Sequence, residues 1–171
     1  KVESRVIKPT VEGLKKDKIP YVGFIFIGLI RVNNEPFVIE YNVRMGDPET
    51  EVVIPRIQSD LVELFQATTE KRLNEFDLKI DGRSATTVMM VSGGYPEAYE
   101  KGKQIYGLNV VTDSIVFHAG TKADGPVVTT SGGRVLAATS FGKDVASALK
   151  RSYESLDKIE FEKSFYRSDI G

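Results

Sequence analysis

Apolar and polar positions change their rhythm partway along this chain. Val6, Thr10 and Leu14 recur at helical spacing, so the opening stretch predicts a helix with Pro9 as a disturbance inside it. Asp17, Lys18 and Pro20 then break the pattern. Residues 21–31 are dense in aromatic and β-branched side chains and predict a strand. Asn33-Asn34 is a turn signal, and residues 36–42 predict the partner strand of a hairpin. Phe37, Val38, Ile39 and Tyr41 are apolar, which predicts a strand buried on at least one side. Farther on, Ser59-Asp60 offers an N-cap, after which Leu61, Leu64, Phe65 and Leu73 follow a helical stripe.

Near Asp77 the pattern turns to short β-rich segments: residues 85–92, 114–118, 126–130 and 134–141. Ten of the 15 glycines lie from Gly93 onward, and Gly93-Gly94, Asp124-Gly125 and Gly132-Gly133 read as turns between these segments. A helix closes the region, with Asp144 as its cap and Val145, Ala148, Leu149, Tyr153 and Leu156 as its apolar face. The whole predicts an α+β chain of two parts, residues 1–76 and 77–171, with the boundary inside residues 75–84 and a mostly antiparallel sheet in the second part.

Composition narrows the classes. A chain of 171 residues with 41% apolar and 27% charged side chains builds a packed core rather than remaining disordered. The net charge of −1 argues against binding nucleic acid through bulk positive charge, and the charge runs at residues 15–18 and 160–163 read as solvated faces. The chain has no cysteine, which removes disulfides, thiolate metal sites and thiol nucleophiles. Its single histidine removes histidine pairs and clusters. No run approaches the roughly 18 apolar residues that span a bilayer, and a cytoplasmic protein without membrane contact is the expectation.

The candidate chemistry lies in residues 38–51. Glu40 and Asn42 are two apart on a strand, so their side chains share a face. A carboxylate and an amide oxygen side by side suit a hard cation such as Mg²⁺, which takes one or two protein oxygens and leaves its other positions to phosphate and water. Arg44 follows, and then a turn of Gly46, Asp47, Pro48 and Glu49, in which Gly46 allows backbone freedom and Pro48 fixes its own φ. His118 reads as a structural hydrogen-bonding residue at a strand end. Lys122 and Arg134 stand among turns, with a surface role and a cleft-facing, phosphate-binding role as the alternatives. Gly132-Gly133 lacks the spacing of a dinucleotide fingerprint, and Met89-Met90 reads as core filling.

The run from Ile39 through Glu51 resembles the signature of the glycinamide ribonucleotide synthetase (phosphoribosylamine–glycine ligase) family of ATP-grasp enzymes. The likeness extends to Lys8-Pro9-Thr10-Val11-Glu12-Gly13, Ser59-Asp60-Leu61-Val62-Glu63-Leu64, Ser92-Gly93-Gly94-Tyr95-Pro96, Phe117-His118-Ala119-Gly120-Thr121-Lys122, Gly132-Gly133-Arg134-Val135-Leu136 and residues 166–171. It therefore covers essentially the whole chain. The resemblance implies the end of an ATP-grasp catalytic subdomain, an antiparallel hairpin with helices, followed by the family's β-rich C-terminal domain. It implies ATP-dependent joining of glycine to 5-phosphoribosylamine through glycyl phosphate in purine biosynthesis. Glu40 and Asn42 would be Mg²⁺ or Mn²⁺ ligands, and Arg44 would stabilise the transferring phosphoryl group. Gly46, Asp47, Pro48 and Glu49 would shape the substrate pocket.

Many ATP-grasp relatives carry another acid on the preceding strand, but residues 24–30 contain none, and Gly28 sits near that place. The first residue is Lys, and the Gly-rich phosphate loop and ATP-embracing lysines are absent, so the chain reads as a portion that is inactive alone. Its cut surface is expected to expose apolar area and to favour self-association. Two rival readings remain: another ATP-grasp carboxylate–amine ligase or carboxylase, and a β-rich binding module without chemistry.

Overall fold

A computed structural model describes residues 1–169; Ile170 and Gly171, which end the 166–171 motif, lie outside the described residues. The protein is a mixed α+β chain with antiparallel sheets, and it divides into two compact units. One unit comprises Lys1–Asp47 and Ser59–Lys79; the other comprises Pro48–Gln58 and Ile80–Gly171. Among the described residues no helix is long and apolar enough to cross a membrane.

In the first unit a wide helical turn, Glu3–Ile7, leads into α1 (Lys8–Lys16). Pro9 has no N–H to give to the turn before it, and that turn is opened so that Lys8 N–H donates to Glu3 O, five residues back. Val6 is buried as its stripe predicts. The helix ends at Asp17, where Lys18 takes φ 58° and Ile19 N–H returns 2.9 Å to Leu14 O.

The hairpin follows, β1 (Phe26–Val32) against β2 (Glu35–Asn42). Asn33 and Asn34 both have positive φ (49° and 65°), the geometry of a two-residue primed turn that matches strand twist. The strand expected over residues 21–31 begins only at Phe26, because β2 ends opposite it at Asn42 and offers residues 21–25 no ladder. The expected burial of β2 is not found either. Phe37, Ile39 and Tyr41 are 55%, 66% and 50% exposed. Among the described residues the sheet has only these two strands, and the opening segment meets it where Lys1 and Arg5 pair with Glu35 and where Thr10 Oγ1 lies 3.0 Å from Tyr41 Oη.

The one-turn helix α2 (Thr50–Val53) comes next in sequence and belongs to the second unit. α3 (Leu61–Thr69) returns to the first unit, capped by Asp60 Oδ1, which accepts from Val62 N–H at 2.8 Å and Glu63 N–H at 3.0 Å. Leu64 and Ala67 are its buried residues, and the Phe65 ring meets Phe24 edge-on at 6.0 Å. Leu73 is not on this helix. Lys71 adopts φ 59° and Arg72 N–H returns to Ala67 O, so the helix closes before it reaches Leu73.

The second unit has β3 (Ser84–Ser92), β4 (Ile115–His118), β5 (Thr121–Asp124), β6 (Val127–Thr130), β7 (Arg134–Gly142) and β8 (Ser164–Phe165). Four of these form an antiparallel sheet in the order β4-β7-β3-β8, and β5 pairs with β6 as a separate hairpin. β7 is the central strand, and Val135 through Ser140 are fully buried. α4 (Val145–Leu156) packs on β3 and β7, burying Ala148 and Leu156. Val145 is exposed instead: it is the first helical residue after the Asp144 cap, ahead of the turn that meets the sheet. The core joins Val88, Met90, Val135, Leu136, Leu156 and Phe161. A buried hydroxyl cluster ties α4 to the sheet, with Ser152 Oγ 3.0 Å from Thr86 Oγ1 and 3.1 Å from Ser140 Oγ, and Ser114 Oγ 2.6 Å from Ser155 Oγ. Buried polar groups are tolerated because they are paired in this way.

Two predictions follow from these anchors. Asp144 Oδ1 accepts from Ser147 N–H at 2.7 Å, so Asp144→Ala should lower unfolding stability by about 1 kcal/mol in urea titrations, the usual cost of losing such a cap. Asp81 is gripped by the Arg83 guanidinium (Nη2 to Oδ2, 2.6 Å) and by the Arg83 N–H, which hold its carboxyl down at about 2. A folded value below the unfolded one means that this pairing favours the fold above the ordinary carboxylate range, and that the gain disappears as pH falls towards 2. Carboxyl-detected NMR should therefore find the Asp81 midpoint near 2. Arg83→Gln should move it upward.

Candidate functional site

Glu40 and Asn42 stand where the strand pattern puts them, on one face of β2. Phe26 pairs with Asn42 and Gly28 with Glu40, so these four residues share that face near the open end of the hairpin. Asn42 Nδ2 donates to Glu40 Oε1 at 3.0 Å, which holds the two polar ends together. Glu40 is exposed and Asn42 half-buried, so the pair is open to ligands from solution.

The donor set fits a small hard cation. Glu40 keeps Oε2 outside its bond to Asn42, and Asn42 contributes a neutral amide oxygen. The two side-chain ends lie 3.0 Å apart, which is about the edge length of an octahedron built on metal–oxygen bonds of ~2.1 Å. A half-turn of the amide exchanges its oxygen and nitrogen at that distance. Among the described residues no group of three or more His, Asp or Glu side chains gathers to hold a metal, so these two residues alone would make at most a partial site. A cation held there would need its remaining ligands from phosphate and water.

Arg44 lies just beyond the strand, exposed, with Nη1 donating to Met45 O at 2.9 Å. One of its five N–H donors is accounted for by that bond. Gly46 is buried and Asp47 exposed at the end of the first unit. Pro48 and Glu49 open the second unit, where Glu49 precedes α2 and accepts at its backbone O from Val52 and Val53 N–H at 3.1 and 3.0 Å. α2 is itself fastened to the sheet, because the Thr139 hydroxyl donates to Glu51 O at 2.9 Å.

The other singled-out residues lie in the second unit. His118 Nδ1 is 3.0 Å from Thr121 Oγ1, a local hydrogen bond between the ends of β4 and β5. Lys122 is exposed on β5, and Arg134 begins β7. Sequence reasoning did not single out the buried Glu51 Oε2 and Arg56 Nε, which have no hydrogen-bond partner among the described residues. It also did not foresee the bulge in β2 that brings Glu40 opposite Gly28; only the paired register reveals it.

Comparison with known proteins identifies the family. The family model described as phosphoribosylglycinamide synthetase, C domain, matches residues 85–171, and that of the ATP-grasp (A) domain of the same synthetase matches residues 1–50. Phosphoribosylamine–glycine ligase of Chlorobaculum tepidum is 45% identical over all of this chain and 41% of its own length. A bifunctional purine biosynthetic protein of Pichia angusta is 42% identical over 99% of this chain and 22% of its own length. The crystal structure of phosphoribosylamine–glycine ligase from Thermotoga maritima superposes with a TM-score of 0.75 at 33% identity, covering 95% of this chain and 40% of that one. The chain thus spans about two fifths of the ligases it matches, and it belongs to the phosphoribosylglycinamide synthetase family.

Proposed function

We propose that this chain is a portion of a phosphoribosylamine–glycine ligase, with residues 1–76 ending its ATP-grasp catalytic subdomain and residues 77–171 forming its C-terminal domain. The observation that carries the reading is the Glu40–Asn42 pair, two oxygen-bearing side chains held together on a strand inside the stretch that matches the ATP-grasp domain. The intact enzyme uses ATP to activate the carboxylate of glycine, and the amine of 5-phosphoribosylamine then displaces phosphate to give glycinamide ribonucleotide. The same reading puts the protein in the cytoplasm, with no nucleic acid or membrane as partner.

Glu40 and Asn42 hold Mg²⁺ or Mn²⁺ in this reading. When bound, the cation neutralises charge on the nucleotide phosphates. The pair supplies two hard oxygens from one face of the strand and fixes where the phosphates gather. Arg44 offers a planar fork of N–H donors to the oxygens of the transferring phosphoryl group. Gly46, Asp47, Pro48 and Glu49 shape the pocket for glycine and phosphoribosylamine. The family matches at both ends of the chain favour this ligase over another ATP-grasp enzyme and over a β-rich module without chemistry.

In the full-length ligase containing this chain, Glu40→Gln and Asn42→Ala should each lower turnover by about 10² or more, as loss of metal-holding groups does. A loss below tenfold would remove the metal assignment. The 171-residue polypeptide assayed alone should give no glycinamide ribonucleotide from ATP, glycine and phosphoribosylamine.

The hairpin also leaves Phe37, Ile39 and Tyr41 exposed beside two unpaired strand edges. Light scattering of the isolated chain should report concentration-dependent self-association, and Ile39→Lys should weaken it. A strict monomer at high concentration would rule this out.

A further inference from the structure

Gly28 faces Glu40 directly across the hairpin. A β-carbon placed on Gly28 would lie 2.9 Å from Glu40 Cγ, closer than side-chain carbons approach one another. The Glu40 methylene therefore fills the space in which any other residue at position 28 would carry its side chain. Gly28 is not among the glycines with positive φ, so its backbone does not call for glycine. Room is what calls for it.

The register shows how this pairing arises. Beside the turn, Val32 faces Glu35 and Leu29 faces Val38; continued without interruption, that register would put Ile27 opposite Glu40 and Gly28 opposite Ile39. A bulge between these two stretches adds one residue to β2 and moves Glu40 from Ile27 to the glycine. Bulges are a common means of re-aiming a side chain beside a functional site. Here the outcome is a Glu40 side chain whose Cγ stands against Gly28 and whose Oε1 accepts from the Asn42 amide at 3.0 Å.

We propose that Gly28 is a positioning residue for Glu40: its missing side chain leaves room for the Glu40 methylene, so that the carboxylate reaches the Asn42 amide and the two groups stand together to receive a divalent cation. The part concerning the cation rests on the metal reading above; the part concerning the side chains does not. An alanine at position 28 would force Glu40 into another rotamer and separate it from Asn42. Alanine is at least as well suited to a strand as glycine, so the hairpin itself should survive the change.

The test uses the 171-residue chain and NMR with Mn²⁺ alone as the probe. In the unsubstituted chain, Mn²⁺ should broaden resonances of Glu40 and the Asn42 side-chain amide selectively. In Gly28→Ala the same broadening should need about tenfold more Mn²⁺, while cross-strand NOEs between β1 and β2 persist. In the metal-free protein the Asn42 side-chain amide signals should also move on substitution. Equal Mn²⁺ response together with unmoved Asn42 amide signals would overturn the proposal. Loss of the cross-strand NOEs would overturn it too, by making Gly28 a folding residue instead. If the unsubstituted chain shows no selective broadening, the metal reading fails, and the metal-free Asn42 signals alone decide whether Gly28 positions Glu40.

Discussion

The antiparallel register between β1 and β2 governs the candidate site. Side chains on a strand alternate with a period of two, so a slip of one residue would carry Glu40 and Asn42 together to the opposite face. Two local devices prevent the slip. The Asn33-Asn34 turn, with both residues at positive φ, fixes the pairing next to the loop. The bulge then adds one residue and sets the pairing at the far end, where the candidate pair stands. The register selects the face, the glycine leaves room on it, and the amide–carboxylate bond fixes the separation of the two groups.

The second unit supplies a different kind of constraint. β7 is hydrogen-bonded on both edges and packed on both faces, so its backbone is among the least free parts of the chain. Thr139 uses that rigidity. Its hydroxyl donates to Glu51 O and lies 2.9 Å from Thr87 Oγ1, so α2 is referenced to two strands at once. Residues just downstream of the acidic turn thus inherit their placement from the sheet rather than from a loop.

Much of this was legible in the sequence, and the misses have physical reasons. The hairpin, the Asp60 and Asp144 caps, β3, β4, β6, β7 and α4 carry strong local signals, and the shared face of Glu40 and Asn42 follows from spacing alone. β5 escaped because Thr-Lys-Ala-Asp is largely exposed and lacks an apolar alternation, and β8 because it is only two residues long. The burial of β2 was misjudged because apolar content reports what a strand can cover, whereas exposure depends on what lies against it. Gly133 shows a further limit. It reads as a turn residue, yet its φ is not positive; a β-carbon there would stand 2.1 Å from the Tyr95 ring, so the glycine is required by close packing. No local pattern announces a neighbour nearly forty positions away.

The same two strands carry opposing demands, which bears on how firmly the pair is held. Glu40 needs solvent or a ligand, while Ile39 and Tyr41 beside it are apolar and half or more exposed. A two-stranded sheet is marginal in water by itself. The ion pairs of Lys1 and Arg5 with Glu35 are partly solvated, and contacts of that kind contribute little. Covering apolar area contributes far more, about 25 cal/mol for each Å² removed from water. A surface laid over Ile39 and Tyr41 would therefore stabilise the very register that sets Glu40 and Asn42 side by side. Order in the polar pair is thus linked to burial of the apolar residues that alternate with it along β2, and the strand cannot satisfy one demand well without the other.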